Sequence, residues 1–68
     1  MEEIILKNKV REYRVINKIT QEELANMCGV SRQTIIAIEK GIFCPTAKLA
    51  ALICIALDKK FEELFYLE

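Results

Sequence analysis

Sixty-eight residues with 53% hydrophobic side chains, two glycines and one proline describe one compact helical domain, close to the lower size at which a chain buries a self-supporting core, and exclude a disordered arm. Ten cations balance ten acids, histidine is absent, and the three cysteines are an odd number without zinc-ligand spacing, which excludes a uniformly basic tail and a zinc site and leaves no metal or cofactor to expect. Met1-Glu2-Glu3 is acidic where a signal peptide is basic, and the longest apolar run, Leu49 to Leu57, is about half a membrane span, so the expected place is the cytoplasm, with no membrane partner.

Ile4, Ile5 and Leu6 fit a short strand as well as the first turn of a helix. From about Lys7 to Asn17 the pattern is helical, with Leu6, Val10 and Tyr13 facing inward and Arg14 bordering that face. Val15 and Ile16 lie outside the stripe. Asn17-Lys18 must end this helix, a less comfortable turn for want of a glycine at Lys18.

Two short helices follow, joined by a glycine turn over about residues 20–41. Thr20 opens the first with a capping box: its hydroxyl faces the amide of Glu23, and the Glu23 carboxylate faces the amide of Thr20. Ile19 and Leu24 stand at the positions of a hydrophobic staple. Gly29 stops this helix, Ser31 caps the next, and Gly41 closes that one. At about 100° of rotation per residue, Arg32, Gln33, Ile36, Ala37 and Lys40 share one face of the second helix, while Ile35 and Ile38 point to the core with Val30. A fork-shaped cation and an amide in the first turn, flanked by small apolar groups, are suited to a DNA major groove: arginine pairs bidentately with guanine, glutamine with adenine, and Ile36 or Ala37 meets a thymine methyl. Over residues 7–57 eight cations face four acids, a balance of +4, which leaves a weakly basic face despite the neutral total.

Ile42 to Pro45 form a loop, and Thr46 caps a helix to about Leu57 with Leu49, Leu52, Ile53 and Ala56 inward; because Ala50, Ala51, Cys54 and Ile55 are apolar too, this helix is expected to be buried on most sides. Asp58-Lys59-Lys60 breaks it, and a last helix runs from Phe61 to about Phe65. The expectation is an all-α domain of five helices round one core. Cys28 and Cys54 read as small core residues, and Cys44 as an exposed thiol in a loop.

The run QEELANMCGVSRQTIIAIEKG resembles the helix-turn-helix of the lambda-repressor, Cro and Xre family of bacterial and phage regulators, and the resemblance covers nearly the whole chain. It implies that Gln21 bonds a DNA phosphate, that Arg32, Gln33 and Ala37 occupy base-reading positions, and that Arg14 and Glu39 pair internally. Ala37 stands where relatives carry a long polar side chain. Ser31, Lys40 and Lys9 are further candidates for phosphate contacts, and Ile36 for a base contact.

The reading that follows is a sequence-specific regulator of double-stranded DNA, acting most simply as a repressor. No nucleophile–base pair or Gly-rich phosphate loop suggests catalysis, and no small-molecule ligand is evident. Apolar residues beyond the needs of so small a core, Ile4 and Ile5 at one end and Phe61, Leu64, Phe65, Tyr66 and Leu67 at the other, predict a homodimer interface, and hence a palindromic operator. The alternative is an antitoxin-like protein-interaction module whose DNA binding is autoregulatory.

Overall fold

The computed structural model describes residues 4–68. Its centre is a pair of capped helices. At the start of α2 (Gln21–Cys28) the Thr20 Oγ1 accepts from the Glu23 amide at 3.0 Å and Glu23 Oε1 accepts from the Thr20 amide at 2.9 Å. Hydrogen bonding from the Thr20 amide, and secondarily from its hydroxyl, to the carboxylate holds the Glu23 carboxyl below its ordinary value. Gly29 ends α2 in the left-handed region at φ 70, and no heavy atom lies within 4 Å of where its Cβ would be. The demand for glycine is therefore one of backbone conformation and not of space. The second helix, α3 (Arg32–Glu39), starts at Ser31, whose Oγ accepts from the Thr34 amide at 3.3 Å.

Around this pair stand α1 (Val10–Ile16), α4 (Ala47–Leu57) and the single turn α5 (Phe61–Leu64). Thr46 Oγ1 caps α4 by accepting from the Leu49 amide at 3.2 Å. Asp58 closes that helix at φ 54, a left-handed position that aspartate tolerates better than most side chains. The Asn17 amide group donates to the Leu57 carbonyl at 3.2 Å and so covers one of the end carbonyls of α4.

The fold is not all-α. A two-stranded antiparallel sheet joins the ends of the chain, with β1 (Leu6–Asn8) against β2 (Phe65–Leu67) in the register Leu6 to Leu67, Lys7 to Tyr66 and Asn8 to Phe65. Ile5 and Glu68 extend the ladder by exchanging amide–carbonyl bonds of 3.2 and 2.9 Å. The first helix therefore begins at Val10 and not near Lys7. Asn8 makes the transition: its Oδ1 accepts from the Val10 amide at 3.1 Å, and its Nδ2 donates to the Ile38 carbonyl at 2.9 Å. One side chain thus stops the strand, starts α1 and ties both to the end of α3. The last helix stops at Leu64, because Phe65 is already extended at φ −121 and ψ 140.

The core comprises Val10, Leu24, Ala25, Cys28, Ile35, Ile38, Leu49, Ala50, Ile53, Leu57, Leu64 and Phe65, with Leu6, Tyr13, Val30 and Leu52 packed against it. Helix α4 is less buried than its composition predicts. Ala51 is exposed and Ile55 is 76% exposed, so an all-apolar helix here still has an outer face. Its buried stripe is Leu49, Ala50, Ile53 and Leu57, with Leu52 and Ala56 half-buried at its sides.

Lys18 holds φ 57 in the turn between α1 and α2. A left-handed conformation costs an L-residue about 1–2 kcal/mol, and glycine gives back about 0.5–1 kcal/mol of that as extra freedom in the unfolded chain. Lys18→Gly is expected to raise stability by about 0.5–1 kcal/mol in a urea titration with an unchanged slope. A lower midpoint would mean that the lysine stem contributes packing that outweighs the strain.

Candidate nucleic-acid interface

Helix α3 is anchored from below. Ile35 and Ile38 are fully buried, each contributing about 1.5–3 kcal/mol of apolar burial, and Val30 packs against the same core. That fixes the roll of the helix. Arg32, Gln33 and Lys40 are exposed, and Ile36 and Ala37 are half-buried. The Ala37 carbonyl accepts from the amides of Ile42 and Phe43 at 2.9 and 3.2 Å, which folds the following loop back over the end of α3.

A hydrogen-bonded chain links the buried side of α3 to its exposed first turn. Arg14 Nε donates to Glu39 Oε2 at 2.7 Å and Arg14 Nη2 to Glu39 Oε1 at 3.3 Å, the two side chains being 11% and 4% exposed. The third guanidinium nitrogen, Nη1, donates to the Ile19 carbonyl at 2.9 Å. Gln21 Nε2 donates to the same Glu39 Oε1 at 3.1 Å, and Arg32 Nη2 donates to Gln21 Oε1 at 3.4 Å. The amide of Gln21 therefore faces a buried carboxylate on one side and an exposed guanidinium on the other. The sequence places Gln21 at the start of α2 but gives no sign of these two partners, because neither is its neighbour in the chain. The Asn8 cap is equally hidden there.

The other candidates lie as follows. Ser31 is exposed, but its hydroxyl is engaged with the Thr34 amide and, at 3.0 Å, with the Thr34 hydroxyl. Lys9 lies beside the sheet, its ammonium 5.8 Å from the centre of the Tyr66 ring. Of the residues assigned to an interface between copies, Leu64 and Phe65 are 0% and 3% exposed within the chain's own core, so they are not available to a second subunit. The reason is that β2 pairs with β1 inside one chain and turns Phe65 inward. Ile4, Ile5, Phe61, Tyr66 and Leu67 remain exposed. Cys28 is buried and Cys54 half-buried, and burial pushes both thiols up from their ordinary values, with Glu62 adding to the shift at Cys54. Both are therefore weak nucleophiles near neutral pH. Cys44 is exposed. Among the described residues no three metal-ligating side chains cluster, and no helix is long and apolar enough to cross a membrane.

Two capped helices with a left-handed glycine between them, the second rolled so that its first turn presents arginine and glutamine outward, define a helix-turn-helix domain. The chain belongs to the helix-turn-helix family of the Xre/Cro type, whose model matches residues 10–64. It is 51% identical over 63 residues to an uncharacterised HTH-type transcriptional regulator of Methanocaldococcus jannaschii, covering 93% of this chain and 96% of that one. The uncharacterised HTH-type regulator YgzD of Bacillus subtilis is 48% identical with the same coverage. Among solved structures, the clp gene regulator ClgR from Corynebacterium glutamicum superposes with a TM-score of 0.76 at 28% identity over 79% of this chain, which spans 57% of the length of that one.

Proposed function

We propose that this chain is a cytoplasmic, non-catalytic, sequence-specific regulator that binds double-stranded DNA as a homodimer, inserts α3 into the major groove of each half of a palindromic operator, and represses by occupying it. The observation that carries the reading is the outward pair Arg32 and Gln33 in the first turn of a helix whose roll is fixed by Ile35 and Ile38. Membership of a family of transcriptional regulators supports it. Arg32 and Gln33 are the main base readers, with Ile36 and Ala37 as apolar contacts to thymine methyl groups. Gln21, Ser31, Lys40 and Lys9 are the candidate phosphate contacts. Of these, Ser31 and Lys40 cap the two ends of α3, and Gln21 is joined to it through Glu39 and Arg32.

Recovering bound fragments from a genome-wide pulldown defines the cognate site, and fluorescence anisotropy on that duplex then tests the base readers. Arg32→Ala and Gln33→Ala are each expected to cost about 1–3 kcal/mol on the cognate duplex and little on a random one. Equal losses on both duplexes would reassign these residues as phosphate contacts.

A further inference from the structure

We infer that the end of α3 opposite its base-reading turn carries a track for the DNA backbone, in which Lys7 and Arg11 are phosphate ligands beside Lys40. The inference rests on the DNA-binding reading above and adds two residues to it.

Two adjoining grooves meet at the end of α3. One is lined by Lys7 and Asn8 of the β1 strand together with Glu39, Lys40 and Gly41. The other is lined by Arg11 and Arg14 of α1 together with Gln21, Ile36, Glu39 and Lys40. Glu39 and Lys40 belong to both, so the grooves form one path from the sheet, past the end of α3, to the start of α2.

The charge along this path is unbalanced. The carboxylate of Glu39 is fully engaged by Arg14 and Gln21, at 2.7, 3.3 and 3.1 Å. It cannot also neutralise its other neighbours. Lys7 faces one acid, Glu68, at 4.0 Å, with both side chains about half or more exposed, a separation worth little in water. Among the described residues Arg11 and Lys40 form no ion pair. Three solvated cations thus line a path whose lining acid, Glu39, is already satisfied. The ligand that fits is an extended polyanion, with its charges repeated along a strand, and the phosphodiester backbone flanking the major groove is such a ligand. The position of the track supports this assignment. Lys40 is on the same exposed face of α3 as Arg32 and Gln33, so a duplex seated against that face brings its phosphates over the rim that Lys7 and Arg11 occupy.

Sequence alone points to Lys9 in place of Lys7 and gives no reason to single out Arg11. The end of the strand explains the first difference. Lys7 lies within β1 and lines the groove beside Lys40. Lys9 has already left the strand, at φ −118 and ψ 28, and its ammonium goes over the Tyr66 ring.

The test is the salt dependence of binding by wild type, Lys7→Ala, Arg11→Ala and the control Lys60→Ala, whose exposed side chain lies at the turn between α4 and α5. Anisotropy titrations on cognate and random duplexes from 50 to 200 mM salt give the slope of log K against log salt. Each of the first two substitutions removes one cation per subunit, two per bound dimer, and is expected to make that slope shallower by about 1.8, so that affinity falls about twelvefold less across this salt range than it does for wild type. The weakening should be equal on both duplexes, and Lys60→Ala should behave as wild type. Wild-type protein that binds neither duplex overturns the DNA reading and the track together. Wild-type binding with unchanged slopes for both variants, or a loss confined to the cognate duplex, overturns the track alone.

Discussion

Glu39→Ala is expected to lower the free energy of unfolding by about 3–5 kcal/mol, the cost of removing one partner from a buried ion pair. The magnitude follows from what is left behind. Arg14 loses the acceptor for two of its three engaged nitrogens and keeps only its bond to the Ile19 carbonyl, and Gln21 Nε2 loses its acceptor as well. Both ionic side chains are almost wholly shielded, at 11% and 4% exposure, so water does not replace the missing carboxylate. Glu39 is also the last residue of α3, where the helix dipole disfavours a negative charge. The carboxylate is tolerated there because Arg14 brings the compensating cation. At about 0.05–0.15 kcal/mol per residue a domain of this size has about 3–10 kcal/mol of stability, so the variant should lose a large share of it and show an unfolding midpoint far below that of wild type in urea. Joint replacement of Arg14 and Glu39 by apolar residues of similar volume should recover much of the loss, since it removes the stranded charge. A cost below about 1 kcal/mol for Glu39→Ala would show that the pair behaves as an exposed one.

Local chemistry is the legible part of this molecule. The capping box of Thr20 and Glu23, the Ser31 and Thr46 caps and the left-handed glycines at 29 and 41 each involve residues within a few positions of one another, so their signals survive in a bare sequence. Helical periodicity likewise separates Ile35 and Ile38 from Arg32 and Gln33. What is not legible depends on distant pairing. Strands of three residues carry too few positions for an alternating pattern, and Leu6 meets Leu67 only because the whole domain closes between them. Without that sheet the start of α1 is misplaced, and Leu64 and Phe65 look available for a partner. Helix α4 misleads for a different reason. Its sequence is apolar all round, and periodicity in hydrophobicity cannot then tell Ile53, fully buried, from Ile55, 76% exposed. The Arg14–Glu39–Gln21–Arg32 chain joins three helices, and only the first of its links is implied by the family resemblance. Its extension through Gln21 to the exposed guanidinium follows from the angle at which α2 and α3 meet.

Inserting about 5 bp, half a helical turn, at the centre of the operator is expected to lower affinity by about 10²–10⁴-fold. On the proposed reading two copies of α3 enter successive major grooves on one side of the duplex, with half-sites centred about 10–10.5 bp apart. The second copy binds as an intramolecular event at an effective concentration set by the rigid link between subunits, and that advantage is what a factor of about 10²–10⁴ represents. Half a turn moves one half-site to the far side of the duplex, where a rigid dimer cannot reach it, so the spaced operator should bind no better than a single half-site. The surface left for the link, with Leu64 and Phe65 excluded, is Ile4, Ile5, Phe61, Tyr66 and Leu67, and three of these, Ile4, Phe61 and Leu67, are more than half exposed. Tyr66 and Leu67 lie in β2, with Tyr66 paired to Lys7, and Phe61 stacks on Phe65 at the start of that strand with ring centres 5.0 Å apart. Sedimentation at tens of micromolar without DNA should give twice the chain mass of 7.8 kDa. Phe61→Glu should shift that mass toward the monomer and, because Phe61 is 54% exposed but stacks on Phe65, should lower the stability of the monomer by no more than that stacked pair contributes, about 0.5–1.5 kcal/mol. The same variant should bind the intact operator as weakly as wild type binds the spaced one. Undiminished affinity for the spaced operator would replace the rigid dimer with two subunits that bind independently.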